Sequence, residues 1–455
     1  MKIVESINPN TGKKIASYER INLRSAREKV KKADQAFTEW KDTTVKERAK
    51  LMHRLAGVLE ENLDEYARVA TLEMGKVLSQ SKKEIEKCAW ICRYYADHSR
   101  HFLKNQMVKT EASKSYVTFQ PMGVILAVMP WNFPFYQVIR FAAPTIMAGN
   151  TGVLKHASNV QGCALALENM FIEAGFPEGV FSNLNIRASQ VKKIIEDRQV
   201  KGVTLTGSDP AGRSVGALAG ENLKKTVMEL GGSDAYIFLE DVDLDEVVET
   251  AVFGRLQNNG QTCIAAKRFV VLDAIYEDFL KKFIRKMKSS KMGNPMREGT
   301  YYGPMAREDL RDELHAQVQK SVSQGAQLKL GGKVPDRKGA FYPATVLSDV
   351  LPGNEAFDNE LFGPVASVIR ARDEAHAIEL ANNSQFGLGS GVFTRDVDRG
   401  EKVALQLEAG NSFVNKLVVS DPRLPFGGIK NSGFGRELSA FGIREFMNTK
   451  SIWIN

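Results

Sequence analysis

From Ser115 onward, short apolar runs alternate with stretches of helical periodicity, and few architectures accommodate that order. Ser115–Gln120 alternates like an exposed strand, whereas Gly123–Met129 is an unbroken apolar run of the kind buried on both faces of a parallel sheet. Strand Gly152–Lys155, helix Gln161–Ala174, strand Val180–Leu184, helix Ser189–Asp197, strand Gly202–Thr206, helix Ala211–Ala219 and strand Lys225–Leu230 follow. Strands that alternate with helices predict an α/β fold with a doubly wound, Rossmann-type parallel sheet. A second α/β series runs from Cys263 to about Asn415, and Thr449–Ile454 alternates like an edge strand. Ahead of the sheet, residues 1–20 read as a strand-and-turn lead-in. Ser25 to Leu103 is helical in period and free of proline. At 455 residues, two or three domains are expected.

Partners are bounded by charge and cysteine usage. The formal charge of +8 is spread out, and the most basic stretch, 281–291, carries apolar residues at helical spacing. It reads as the solvated face of a helix, and no nucleic-acid partner is expected. Four cysteines do not make a disulfide framework, no charged-then-apolar leader opens the sequence, and no apolar run is long enough to span a bilayer. A cytoplasmic setting without membrane partners is the expectation. Cys88 and Cys92 lie one helical turn apart among aromatic residues, which reads as packing, so no metal is expected.

The chemistry centres on Leu256–Ile264, where Asn258, Asn259 and Gly260 break a helical run and deliver Cys263 on a turn. Upstream, Glu229-Leu-Gly-Gly places a carboxylate at a strand end where backbones approach closely, and Asn132 sits between Trp131 and Phe133 with prolines on both sides. Nucleophile, base and amide donor together suit covalent chemistry on a carbonyl. The usual G-x-G-x-x-G fingerprint is missing. Instead Thr204-Leu-Thr-Gly-Ser208 ends a strand and Asp209–Gly212 opens a helix, either an ordinary capped start or one whose N-terminal amides hold a pyrophosphate.

These segments, in this order, resemble the signatures of the aldehyde dehydrogenase superfamily over nearly the whole chain. Glu360-Leu-Phe-Gly-Pro364 and the glycine-rich Pro425–Arg436 complete the match. The resemblance implies a cysteine thiohemiacetal and thioester on Cys263, an oxyanion held by Asn132, and Glu229 as the base that activates water. It implies a cofactor site built from Trp131, Lys155, Gly207, Ser208, Gly212, Leu230, Glu360 and Phe362. NAD-preferring members carry a glutamate three residues after the lysine; this chain has Ser158, which leaves room for a 2′-phosphate and favours NADP over NAD. Ser158 as a simple helix cap is the alternative.

The resemblance also implies a cofactor-binding domain over 1–114 and 122–230 and a catalytic domain over 231–424. Oligomerisation strands are implied at 115–121 and 441–455, with a returning segment at 425–440 and assembly as a homodimer or dimer of dimers. For the aldehyde, Arg140 stands eight positions beyond Asn132, a spacing that lets both share one helical face. Succinate-semialdehyde dehydrogenases have arginine there, suited to a distal carboxylate. Their second arginine, six residues before the cysteine, is Gln257 here; Ser420, aided by Arg423, is placed to supply the missing contact, with Phe426 also in the substrate site. Succinate semialdehyde is favoured, with glutarate semialdehyde or a broader aldehyde range behind it. Acyl transfer to coenzyme A and a non-catalytic nucleotide-binding protein are the rival readings.

Overall fold

The computed structural model describes residues 3–455. A hairpin, Ile3–Ile7 against Lys14–Glu19, leads into helices Leu23–Trp40, Val45–Glu61, Leu63–Met74 and Leu78–Phe102. The second helix starts sharply because Thr44 and Glu47 exchange side-chain-to-backbone bonds in a capping box.

These helices pack on a six-stranded sheet with the order Gly433–Phe434, Lys225–Glu229, Val200–Thr206, Val124–Met129, Thr151–His156, Phe181–Asn183. The last five strands are parallel, and Gly433–Phe434 joins antiparallel from the far end of the chain. Val124, Ile125 and Leu126 are fully buried, as a central parallel strand requires. The chain leaves Val124–Met129 first toward Thr151–His156 and later returns on its other side with Val200–Thr206. A crevice opens where the strand order reverses, at the carboxyl ends of those strands. There stand Pro130–Asn132 and Gly207–Ser208.

A second, seven-stranded sheet runs Gln327–Leu330, Thr345–Ser348, Val365–Ala371, Arg268–Leu272, Ala235–Phe238, Gly389–Phe393, Asn411–Val414, with only the first strand antiparallel. Its two faces carry separate buried clusters, one around Phe238, Phe269 and Phe283, the other around Leu347, Phe357 and Ile369. The doubly wound parallel sheet and the second α/β unit expected from the sequence are both observed.

A third sheet stands apart. Met447–Ile454 pairs antiparallel with Lys114–Pro121 over its whole length, and Gln106–Met107 adds to the other edge. The expected strand at 441–455 is shorter than the sequence suggests, because helix Ser439–Glu445 occupies its beginning. Among the described residues, no helix is long and apolar enough to cross a membrane.

Candidate active site

Cys263 lies between helix Leu244–Leu256 and strand Arg268–Leu272. The helix stops because Asn258 and Asn259 take left-handed angles, φ 52° and 58°, which asparagine tolerates better than most side chains. Gly260 follows at φ 75° with its Cα pressed against the Gly363 backbone, so a side chain has no room. The Asn259 amide donates to Gly75 O and Pro304 O and accepts from Gly303 N–H. The Asn258 amide donates to Asn132 O at 2.9 Å and Gln261 O at 3.0 Å. Three distant segments thus pin one turn.

Two cavities meet at the half-buried thiol. The first, about 280 Å³, is lined by Trp131, Asn132, Gly207, Ser208, Leu230, Glu360, Phe362 and Cys263, among others. The second, about 180 Å³, is lined by Arg140, Gln257, Ser420, Phe426, Lys87 and again Cys263, among others. Asn132 Nδ2 donates to Gln261 O at 3.1 Å, which holds the amide beside the nucleophile turn. The Cys263 N–H has no acceptor among the described residues. Burial pushes the Cys263 thiol up to about 12, against the opposing pull of Arg140 and then Lys267. Such a thiol is protonated near neutrality and needs a base or a bound ligand to become a nucleophile.

The expected shared helical face of Asn132 and Arg140 does not exist. The helix begins only at Tyr136, because Pro130 and Pro134 interrupt the chain before it. Asn132 lines the first cavity and Arg140 the second, so the two converge on Cys263 from different cavities. Glu84, on helix Leu78–Phe102, accepts from the N–H groups of Phe135 and Tyr136, both at 2.9 Å, and pairs with the buried Lys76. That pair holds the start of the helix and, with it, the turn carrying Asn132.

Glu229 ends its strand and is buried. Its carboxylate is turned toward Gly427, where an added Cβ would lie 2.9 Å from Oε1, and it lines neither cavity. Burial, and then the like charge of Glu437, hold its pKa well above the usual carboxylate range, while Arg140 and Arg436 oppose the shift. Arg140 is itself buried and pairs with Glu437 across 2.5 Å, with its guanidinium 4.9 Å from the Phe426 ring. Its Nη2 has no hydrogen-bond partner among the described residues. Ser420 shares a hydrogen bond of 2.6 Å with Tyr136 Oη. Arg423 is bound to Asp421 and does not line the substrate-side cavity, so Ser420 stands there without it.

Several groups at this site carry no signal in the sequence. Lys267 Nζ donates to Cys263 O at 2.6 Å and Thr262 O at 3.1 Å and lies 3.0 Å from Glu360 Oε1. Arg255, fully buried, donates to Gly260 O and Ala266 O on either side of the thiol. Both brace the nucleophile turn through backbone carbonyls, which no side-chain pattern reveals.

The residues lining the first cavity and its approaches fit a dinucleotide. Helix Asp209–Glu221 opens at Ser208, whose side chain makes no capping bond, so its first amides remain available to phosphate. Gly212 lets Leu230 pack directly on that helix; a Cβ there would lie 2.5 Å from Leu230 Cδ1. Glu360 Oε1 is buried and ion-paired with Lys267 at 3.0 Å without an aligned hydrogen bond, and a carboxylate oxygen so placed can still accept from a sugar hydroxyl. Trp131 and Phe362 meet edge to face, ring centres 5.8 Å apart. Lys155 is the next-to-last residue of strand Thr151–His156; burial, and then the like charge of Arg20, lower its pKa. Ser158 lines neither of the two cavities and is exposed on the wall of a third cleft of about 420 Å³ with Asn159 and Arg307.

Known proteins are similar to the chain in sequence and fold over nearly its whole length. The chain is 45% identical over 451 residues to a probable succinate-semialdehyde dehydrogenase [NADP(+)] of Synechocystis sp., covering 99% of each chain. It is 47% identical over 454 residues to succinate-semialdehyde dehydrogenase [NADP(+)] 1 of Mycobacterium bovis, again covering 99% of each. The crystal structure of succinic semialdehyde dehydrogenase from Streptococcus pyogenes in complex with NADP+ superposes with a TM-score of 0.97 at 38% identity, covering 99% of both chains. The model of the aldehyde dehydrogenase family matches residues 1–452, and the chain belongs to that family.

Proposed function

We propose that the protein oxidises succinate semialdehyde to succinate with NADP+ as its preferred cofactor and NAD+ as the weaker one. The observation that carries the reading is the position of Cys263 at the junction of two cavities, one fitting a dinucleotide and the other containing Arg140. In this reading the Cys263 sulfur attacks the aldehyde carbon. The developing oxyanion receives the Asn132 amide and the Cys263 N–H. When bound, the nicotinamide would supply the acceptor for the hydride that leaves the former aldehyde carbon. Cys263 is left as a thioester, and Glu229 takes a proton from the water that releases the acid. The raised pKa of Glu229 makes it the stronger base once deprotonated. Its carboxylate must rotate from Gly427 toward the sulfur to act.

Cofactor atoms are assigned on the same basis. Lys155 and Ser158 take the adenosine ribose and its 2′-phosphate, the helix opening at Ser208 takes the pyrophosphate, and Glu360 takes the nicotinamide ribose. An absent carboxylate at 158 and the cation Lys155, whose pKa already feels the like charge of Arg20, favour the extra phosphate. Ser158→Glu is expected to lower the ratio of kcat/KM with NADP+ to that with NAD+ by about 10-fold or more, through like-charge repulsion. A wild type that prefers NAD+, or a ratio that ignores the substitution, rejects this assignment.

The reading places the enzyme in the cytoplasm as a homodimer or dimer of dimers. The separate three-stranded sheet supports assembly, with Met107 and Trp453 exposed on it at 66% and 51%. The test of the function is kcat/KM for ω-oxo acids and plain aldehydes of matched length with both cofactors. Succinate semialdehyde is expected to exceed butanal by about 10-fold or more with NADP+. Equal use of the two aldehydes, or strict dependence on coenzyme A, overturns it.

A further inference from the structure

The second cavity contains a cation to which the reading above gives no task. Lys87, on helix Leu78–Phe102, lines it with Arg140, Gln257, Ser420 and Cys263. Its Nζ donates to Ser420 Oγ at 3.2 Å and lies 4.4 Å from the centre of the Tyr136 ring. The two acids nearest to it are committed elsewhere. Glu84 pairs with Lys76 and accepts from the N–H groups of Phe135 and Tyr136, while Asp421 pairs with Arg423. Lys87 therefore faces the cavity without a carboxylate of its own among the described residues, next to the buried cation Arg140; Lys83, one turn earlier on the helix, also lines the cavity but is exposed to solvent, where its charge is screened.

Two like charges beside one cavity repel each other in the empty enzyme, and an anion between them relieves that repulsion. Gln257 brings no charge to the same wall. We propose that Lys87 is the second cation of the substrate-carboxylate site, acting with Arg140 and Ser420 on the distal carboxylate of the semialdehyde. This assignment rests on the semialdehyde reading. The hydroxyl of Ser420 is the hinge of the arrangement, since Tyr136 and Lys87 both bond to it and so fix its direction.

The assignment has a consequence in pH. Burial, and then the like charge of Arg140, depress Lys87 to about 8, with Cys88, Asp421 and Glu84 opposing. The Tyr136 hydroxyl, raised by burial, stays neutral across that range. Lys87 is a cation below its pKa and loses that charge as pH rises through it. Preference for a carboxylate-bearing aldehyde is therefore full on the acid side and falls on the alkaline side.

The experiment compares wild type, Lys87→Met and Lys87→Arg, with kcat/KM for succinate semialdehyde and butanal at saturating NADP+ across the range around pH 8. Lys87→Met is expected to lower the succinate semialdehyde to butanal ratio about 10-fold near neutrality, mostly through KM. Lys87→Arg is expected to keep most of the ratio and to abolish its alkaline fall, because a guanidinium stays charged. Equal losses for the two aldehydes in Lys87→Met, or a wild-type ratio in that variant, overturn the proposal. If Lys87→Met fails to fold, Lys87→Arg decides: an alkaline fall that persists in it counts against Lys87. A wild type that prefers butanal removes the carboxylate substrate itself, and the role of Lys87 falls with it.

Discussion

Cys263→Ala is expected to abolish turnover, and Glu229→Gln to release one burst of NADPH per site and then stall as a thioester. The first expectation follows from position. Cys263 is the one thiol at the junction of the cavities; Cys88, Cys92 and Cys163 are fully buried. Loss of an attacking nucleophile removes the covalent route as a whole, so the decrease is on the order of 10⁴-fold or more. The second expectation separates the two halves of the reaction. General-base assistance is worth about 10²–10⁴-fold, and the steady-state rate of Glu229→Gln falls by that amount when deacylation is where the base acts. The acyl-enzyme is read as a mass increment on Cys263 and the burst by rapid mixing. The burst rate carries extra information, because the thiol is raised to about 12 and some group must take its proton. A burst that slows as much as the steady state assigns that task to Glu229 too. Wild-type steady-state hydrolysis in Glu229→Gln removes it as the base.

The parts of the fold and site that were legible in the sequence are those written locally. Val124–Met129 announces a buried central strand by composition alone, and the turn Asn258-Asn259-Gly260 announces the break that presents Cys263. The glycines after Glu229 suggest a close approach, and at Gly231 the neighbour is the Glu360 side chain, just as Gly212 is pressed against the Leu230 side chain. What escaped depends on contacts between remote segments. Glu437 pairs with Arg140 from the returning segment, and Lys87 reaches the cavity from a helix on which Lys82 pairs with Asp64 and the exposed Lys83 also lines the cavity. Arg255 acts on backbone carbonyls, and Lys267 combines two backbone carbonyls with an ion pair to the remote Glu360, so neither is visible as a local pattern. The spacing argument for Asn132 and Arg140 failed because it assumed a helix through Pro134, where the chain is still a turn.

Arg140 is expected to set the choice of aldehyde, and the ion pair with Glu437 dictates how that must be tested. In a cavity shielded from water, a guanidinium and a carboxylate make charge-assisted bonds worth roughly 1.5–3 kcal/mol. Arg140 keeps Nη2 without a hydrogen-bond partner among the described residues, so one pairing with Glu437 does not exhaust it. Arg140→Ala alone would leave the Glu437 carboxylate buried and unpaired, a change that costs about 3–5 kcal/mol in comparable cases. It would also remove a charge that holds the Glu229 pKa down, so deacylation would slow for every aldehyde. Rates with butanal are therefore expected to fall in the single variant. The paired variant, Arg140→Ala with Glu437→Gln, removes the orphaned charge and isolates substrate recognition. In it, kcat/KM for succinate semialdehyde relative to butanal is expected to drop on the order of 10–100-fold. Arg140→Lys is expected to recover only part of the ratio, because an ammonium lacks the two-pronged contact. If Arg140 only braces Glu437, both aldehydes lose equally in the single variant and the ratio in the paired variant stays at its wild-type value. That outcome would leave the family and the covalent chemistry intact and remove Arg140 from the substrate site.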